Sequence, residues 1–343
     1  MIEWGLAERV AGYVAGSPVA GQLLRGDLDA LAAEAERRVV TYTQLAPAAP
    51  LPPPEAVSRS EWIAANLASL RPLLDPIAGR IGGGAGRVGA PLRLASGVLL
   101  AGELGAVTGY LAQRVLGQYD IALMGPERQS RLLFVAGNLN EAASRMRADR
   151  GELLGWVAFH EVTHAVQFAS VPWLRDHLAG TLRDLIDGLE LRLGPTRALR
   201  TAGRDELRDM LGALRRRELV TLMIGPERRA LVDSLQTTMA VVEGHAEHVM
   251  DVIGAEVLPS QPRLRAAIEQ RRSTRSAPLR LIERLLGLEL KMRQYRDGKR
   301  FCDEVVEHGG VEALNRVWSE PAALPTKTEL ADPGAWLART AVP

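Results

Sequence analysis

The chain has 343 residues, of which 47% are hydrophobic and 24% are charged, a composition typical of a globular protein with a sizeable core. Its 42 lysines and arginines nearly balance its 41 aspartates and glutamates, so no strong field attracts nucleic acid or an anionic membrane. The single cysteine, Cys302, excludes an intramolecular disulfide framework and predicts a reducing, cytoplasmic location. We therefore expect no nucleic-acid and no membrane partner, and these properties leave the oligomeric state open.

Helical periodicity dominates from the N-terminus onward. The first residues, "MIEWGLAERVAGYVAG", lack the basic and apolar regions of a signal peptide and predict a docked helix. Residues 20–43 predict an amphipathic helix, and the proline-rich residues 45–59 predict a connector that cannot continue it. The most apolar stretch, residues 92–117, contains charged side chains and predicts a buried helix rather than a membrane span.

Two short segments in the middle of the chain predict β-strands. They are "YDIALM" (119–124) and "SRLLFVAG" (130–137), both flanked by glycine or proline. Such flanking residues indicate a small hairpin or a pair of adjacent edge strands. Both segments lie just upstream of the histidine-bearing segment.

The segment "WVAFHEVTHAVQFAS" (156–170) places titratable side chains in a run that otherwise predicts a buried helix. His160 and His164 are four residues apart, so on an α-helix they share one face and can bind one zinc ion. Glu161 is adjacent and can take a proton from a zinc-bound water. The polar wedge of this helix contains His160, Glu161, Thr163, His164 and Gln167. The alternative is a pair of hydrogen-bonded core histidines, with Glu161 on a solvated edge.

A catalytic zinc site needs a third protein ligand, and "MAVVEGHAEHVMDVIG" (239–254) supplies candidates. Glu243, Glu247 and Asp251 repeat every four residues, and stacked carboxylates repel unless a cation or hydrogen-bond donors neutralise them. We predict Glu243 as the third ligand, because Gly244 lets a facing helix come close, and Glu247 as the acceptor of a ligand histidine's free N–H. The alternatives are Glu247 as ligand with Asp251 as its partner, or an ordinary solvated face.

The remaining histidines have other predicted functions. His245 points elsewhere on the helical wheel and is a candidate donor to a developing oxyanion, although with His248 it could also bind metal. His248 is predicted to be a surface or capped residue. His177 and His308 are predicted to be structural.

A basic segment near the C-terminus, "KMRQYRDGKRF", offers a further candidate for contact with substrate. Tyr295 or Arg293 could polarise a carbonyl group. The alternative is an exposed helix end with a packed tyrosine, since charged helix ends are common.

The motif "HEVTH" together with the downstream "EGHAE" resembles the glutamate-ligated branch of the zincin superfamily. The resemblance implies that His160, His164 and Glu243 are zinc ligands and that Glu161 is the catalytic base. It also implies that Glu247 binds a ligand histidine, although many members have aspartate there.

The whole chain also resembles a narrower bacterial family of zinc metalloproteases and hydrolases, one branch of which is associated with biosynthesis of the deazaflavin coenzyme 420. The blocks that carry this resemblance include "VSRSEWIAANLASL", "RLLFVAGNL", "WVAFHEVTHAVQF", "VEGHAEHVMD" and "ALPTKTEL". It implies an α+β, predominantly α-helical, zincin-like metalloprotease fold with a small β-sheet beside the active-site helix. In zincins the strand before that helix often receives an extended substrate, so residues 130–139 are a candidate substrate edge or a purely structural edge strand.

The predicted organisation is a single zincin-like domain, residues 1–343. Residues 1–58 would hold the N-terminal helices and the proline-rich connector, and residues 59–177 the sheet and the HExxH helix. Residues 178–230 would be a helical insertion, and residues 231–343 would hold the third-ligand helix and the C-terminal helices.

The expected function is that of a zinc-dependent metallopeptidase acting on a peptide or amide-containing substrate, with Glu161 activating a zinc-bound water. The alternative is a non-proteolytic metal-binding accessory protein linked to coenzyme 420 biosynthesis. A complete set of ligands and base favours the enzyme, because a structural zinc site does not need the base.

Overall fold

A computed structural model describes residues 2–16, 25–83, 90–121, 123, 129–190, 226–273 and 288–341. Its helices are α1 (Trp4–Ala15), α2 (Arg25–Thr43), α3 (Arg59–Gly83), α4 (Ala90–Ala112), α5 (Ala136–Met146), α6 (Arg150–Ser170), α7 (Pro172–Glu190), α8 (Pro226–Val257), α9 (Gln261–Ser273), α10 (Leu288–Asn315), α11 (Lys327–Ala331) and α12 (Pro333–Arg339). Its strands are β1 (Pro54–Val57), β2 (Gly117–Asp120) and β3 (Arg131–Val135). The predicted fold class, predominantly helical with one small sheet, is confirmed.

The sheet has the strand order β1-β3-β2, with β1 parallel and β2 antiparallel to β3. The antiparallel pair overlaps the predicted segments 119–124 and 130–137, but β2 begins two residues earlier than predicted and ends at Asp120. The pair aligns Gly117 with Phe134 and Asp120 with Arg131. The prediction that residues 130–139 form an edge strand is wrong. The proline-rich connector contains β1, which pairs with β3 and makes it the central strand.

Strand β3 is buried on both faces, which explains its continuous apolar sequence. Leu132 and Phe134 belong to the hydrophobic cluster that also contains residues of α6. Leu133 and Val135 point to the other face and belong to a cluster with residues of α1 and α3. The strand therefore ties the sheet to α6 on one side and to the N-terminal helices on the other.

Helix α6 begins with a side-chain cap and then runs through the core. The carboxylate of Asp149 accepts a hydrogen bond from the Glu152 N–H at 2.9 Å, satisfying one of the free donors at the helix start. From residue 153 to residue 167 every side chain except His160 is buried. The sequence prediction of a core helix with a polar slot is therefore confirmed.

Helix α8 lies between α6 and α10 and meets α10 at a pair of glycines. A Cβ atom added to Gly244 would lie 2.2 Å from the carbonyl carbon of Gly298. A Cβ atom added to Gly298 would lie 1.9 Å from the carbonyl oxygen of Ala240. The close approach predicted from Gly244 is thus an approach to α10 rather than to the histidine-bearing helix α6.

The described part of the predicted insertion is helical at both ends. Helix α7 extends to Glu190 and α8 begins at Pro226, while residues 191–225 lie outside the described residues. Across the described ranges, no helix combines the length and the apolar character needed to cross a bilayer.

We predict that Gly298→Ala lowers the free energy of unfolding by about 1–3 kcal/mol, because the new methyl group overlaps the backbone of α8. Urea denaturation followed by circular dichroism measures the change. Gly102→Ala in α4 is the control, because no atom lies within 4 Å of its Cβ position, and it should raise the free energy of unfolding by about 0.5–1 kcal/mol. Equal stability of Gly298→Ala and the wild type would contradict the helix contact.

Candidate metal centre

The imidazoles of His160 and His164 converge on the face of α6 that points towards α8. Their Nε2 atoms lie 3.2 Å apart. One helical turn separates the two residues, so the backbone of a single helix sets this distance. The side chain of His160 is 17% exposed and that of His164 is 8% exposed, so the pair is largely buried.

Glu243 of α8 completes a group of three potential ligands. Its Oε2 atom lies 3.6 Å from the Nε2 atom of His160 and 3.6 Å from that of His164. Two ligands held at 2.0–2.1 Å by a tetrahedral zinc ion lie about 3.3 Å apart, so the observed spacing leaves room for one such ion. Two imidazoles and one carboxylate are also a donor set that zinc prefers. The residues therefore fit a zinc ion.

The electrostatics of the three ligands favour a cation between them. Burial raises the pKa of the Glu243 carboxyl, but His164 and His160 outweigh this and lower it well below its usual value. Burial lowers the pKa of His164, and the neighbouring Glu243 carboxylate more than offsets this, raising it to about 9. Zinc requires a neutral imidazole, so its binding near neutral pH must release the His164 proton.

Glu161 lies beside the ligands and is oriented by strand β2. Its Oε2 atom accepts a hydrogen bond from the Tyr119 N–H at 2.8 Å. Burial raises the pKa of its carboxyl, while His160, His164 and the Tyr119 N–H act in the opposite direction. Gly117 makes this contact possible, because a Cβ atom there would lie 2.6 Å from the Glu161 Cγ.

The Nδ1 atom of His164, which points away from Glu243, contacts Gln167 rather than Glu247. Its Nδ1 lies 2.9 Å from the Gln167 Oε1, whereas the Nδ1 of His160 is buried without a hydrogen-bond partner among the described residues. The hydrogen bond predicted from a ligand histidine to Glu247 therefore does not form at His164. Gln167 lies three residues after His164 on the same helix, so its side chain can reach this nitrogen.

The carboxylates further along α8 are neutralised differently. Asp251 pairs with Arg265 and lies 3.2 Å from the Nζ of Lys299. This satisfies the predicted need for a positive partner at the end of the stripe. The carboxylate that joins the histidines is Glu243, and the alternative ligand Glu247 does not belong to that group.

Two of the other candidate residues lie in the core. His245 is fully buried, its Nδ1 contacts Gln167, and burial lowers its pKa to about 3. The prediction of an oxyanion donor is wrong, because its Nε2 is buried against Trp318 and cannot reach a substrate. His248 is also buried, where it contacts Tyr42 and Asp303 at 2.7 Å each, so the surface prediction is wrong as well.

The side chains of Tyr295 and Arg293 lie outside the described residues, and their contact with substrate stays a prediction. The sequence interpretation missed Gly117 and the function of Gln167. A glycine at the start of a strand is a signal of close backbone approach. Gln167 lies in the polar wedge of α6, which was a signal that its side chain takes part in the site.

We predict that the purified protein binds one zinc ion and that His160→Ala and Glu243→Ala each weaken zinc binding by more than about 100-fold. The expected loss exceeds the roughly 10–100-fold effect of removing a hydrogen-bond partner of a ligand, because a direct ligand is removed. Metal analysis and competition with a chelator measure the affinity. Glu247→Ala is the matched control on the same helix, and a loss of zinc in that variant alone would identify Glu247 as the ligand.

Comparison with known proteins agrees with this geometry. The model of the zincin-like metallopeptidase family matches residues 2–337. A crystal structure from Chloroflexus aurantiacus, described as a putative hydrolase with a novel fold, covers 99% of this chain and 98% of its own, with 28% sequence identity and a TM-score of 0.72. None of the curated proteins matches the chain. The chain therefore belongs to the zincin-like metallopeptidase family.

Proposed function

We propose that this protein is a zinc-dependent metallopeptidase that hydrolyses a peptide or other amide bond, with Glu161 as the proton acceptor. The observation that carries the proposal is the position of Glu161. Its carboxylate is close enough to His160, His164 and Glu243 to interact electrostatically with all three, and it accepts a hydrogen bond from the Tyr119 N–H. A site that served only to stabilise the fold would not need this carboxylate.

The number of ligands also favours catalysis. Among the described residues, the group consists of His160, His164 and Glu243. Structural zinc sites are closed by four protein ligands, whereas catalytic sites have three and leave one position for water or substrate. The partial exposure of Glu243, 27% of its side chain, is consistent with an open position.

The chemistry divides between the metal and the protein. Zinc bound here would polarise the substrate carbonyl and lower the pKa of water in the open position to roughly 7. Glu161 would accept the proton of the attacking water and deliver it to the leaving amine. Tyr119 would hold the carboxylate in place during both transfers. Strand β2 is the edge of the sheet nearest Glu161, so an extended substrate would lie along β2 rather than along β3.

We predict that Glu161→Gln retains one zinc ion per chain and reduces hydrolysis by about 10²–10⁴-fold, because the amide cannot accept the proton. Cleavage of a broad library of quenched fluorescent peptides measures the activity. Glu307→Gln, on the exposed surface of α10, is the control and should have wild-type activity. Full activity of zinc-loaded Glu161→Gln would rule out its function as the base.

We predict that Gly117→Ala also retains zinc but reduces kcat by about 100-fold. The added methyl group would lie 2.6 Å from the Glu161 Cγ and must displace the carboxylate, and a displacement near 1 Å can reduce a rate by this amount. Steady-state kinetics on a peptide cleaved by the wild type gives kcat. Gly180→Ala in α7, where the Cβ position is open, is the control. An unchanged kcat would contradict the proposed function of the β2 contact.

Two further expectations stay predictions. The link to coenzyme 420 biosynthesis rests on the sequence resemblance, and a zinc-loaded protein that cleaves nothing in the library would favour that accessory function. The cytoplasmic location rests on the single cysteine.

A further inference from the structure

Behind His164 a chain of buried polar contacts runs from α6 into α8. His164 Nδ1 contacts the Gln167 Oε1 at 2.9 Å. The Gln167 Nε2 contacts the Val242 carbonyl oxygen at 3.0 Å and the His245 Nδ1 at 2.9 Å. Gln167 and His245 are both fully buried, so water does not compete for these hydrogen bonds.

The backbone carbonyl of Val242 fixes the direction of every hydrogen bond in this chain. A carbonyl oxygen can only accept, so the Gln167 amide must present its NH₂ group to Val242. The Gln167 Oε1 then faces His164 and can only accept, so the His164 proton must be on Nδ1. Once the ring has lost its second proton, as zinc binding requires, the lone pair of His164 is left on Nε2, the nitrogen that faces His160 and Glu243.

The second N–H of the Gln167 amide requires an acceptor, and His245 supplies it. Its Nδ1 must accept, so the proton of the neutral ring is on Nε2. That Nε2 is buried without a hydrogen-bond partner among the described residues, with the ring edge-on to Trp318 at a centroid distance of 5.4 Å. An unpaired buried N–H is unfavourable and needs an explanation. An apolar side chain at this position would avoid the unpaired N–H, but it could not accept the hydrogen bond from the Gln167 amide.

We propose that Gln167 and His245 are positioning residues that set the tautomer and orientation of His164 for metal binding. The proposal rests on the metal site of the proposed function and extends it to residues that do not touch the ion. Val242 and His245 lie close to Glu243 in α8, so the segment that supplies the third ligand also aligns a ligand of α6. Docking of α8 thereby prepares both halves of the site before the ion binds.

The test is the zinc affinity of three variants, measured by chelator competition on the full chain. Gln167→Leu removes both hydrogen-bonding functions and should weaken zinc binding by about 10–100-fold. His245→Phe keeps a ring against Trp318 but removes the acceptor, and should weaken binding by about tenfold. His245→Asn keeps an acceptor near the Nδ1 position but loses the ring, and should bind zinc within about threefold of the wild type, even if thermal unfolding shows lower stability.

The paired variants separate positioning from packing. If His245 only fills space, His245→Phe binds zinc normally and His245→Asn is the weaker variant, which would overturn the proposal. His308→Phe, at an exposed histidine of α10, controls for the substitution itself and should bind as the wild type does.

Nuclear magnetic resonance of the imidazole nitrogens gives a second readout that needs no variant. In the zinc-loaded wild type, His164 should be protonated at Nδ1 and His245 at Nε2. A His245 proton on Nδ1, or zinc bound to the His164 Nδ1, would contradict the proposed hydrogen-bond directions. A wild type that binds no zinc through His160 and Glu243 would instead refute the metal site itself. Zinc binding that depends on those ligands but not on Gln167 or His245 would reject the positioning function alone.

Discussion

The contact between α6 and α8 brings side chains that are distant in sequence together as three potential ligands. Helix α6 alone offers two imidazoles with their Nε2 atoms 3.2 Å apart. Helix α8 adds the Glu243 carboxylate, 3.6 Å from both, and its Val242 carbonyl binds Gln167 of α6. The number of ligands, their net charge and the direction of the hydrogen bonds behind them therefore depend on how these two helices dock.

Helix α8 also packs closely against α10. Gly244 and Gly298 allow backbone contact with α10, at distances that no side chain could occupy. Further along, His248 joins Tyr42 of α2 to Asp303 of α10 through hydrogen bonds of 2.7 Å. These contacts fix the position of α8 against α2 and α10. The polar residues of the core thus support the position of Glu243, although they do not touch the candidate ion.

Local spacing was sufficient to predict the three side chains that converge, whereas tertiary packing determines which residues surround them. The HExxH motif and the choice of Glu243 follow from helical periodicity and from the glycine after it. A helical wheel cannot distinguish a polar residue that faces a cleft from one that faces another helix, so His245 was assigned to the wrong side. Strand β1 was missed because four residues next to prolines have almost no periodic pattern. The contact of Glu161 with Tyr119 joins segments whose relation no local pattern indicates.

The two strand pairs of the sheet are joined by connections of very different length. A short connection joins β2 to β3, whereas α3, α4 and β2 all lie between β1 and β3. The entropy lost on closing a loop grows with its length. Pairing β2 with β3 therefore costs less entropy than pairing β1 with β3. Tyr119, whose N–H binds Glu161, belongs to β2 and so to the strand pair with the shorter connection. If the backbone were cut between α3 and α4, strands β2 and β3 and residue Glu161 would therefore remain on one continuous polypeptide.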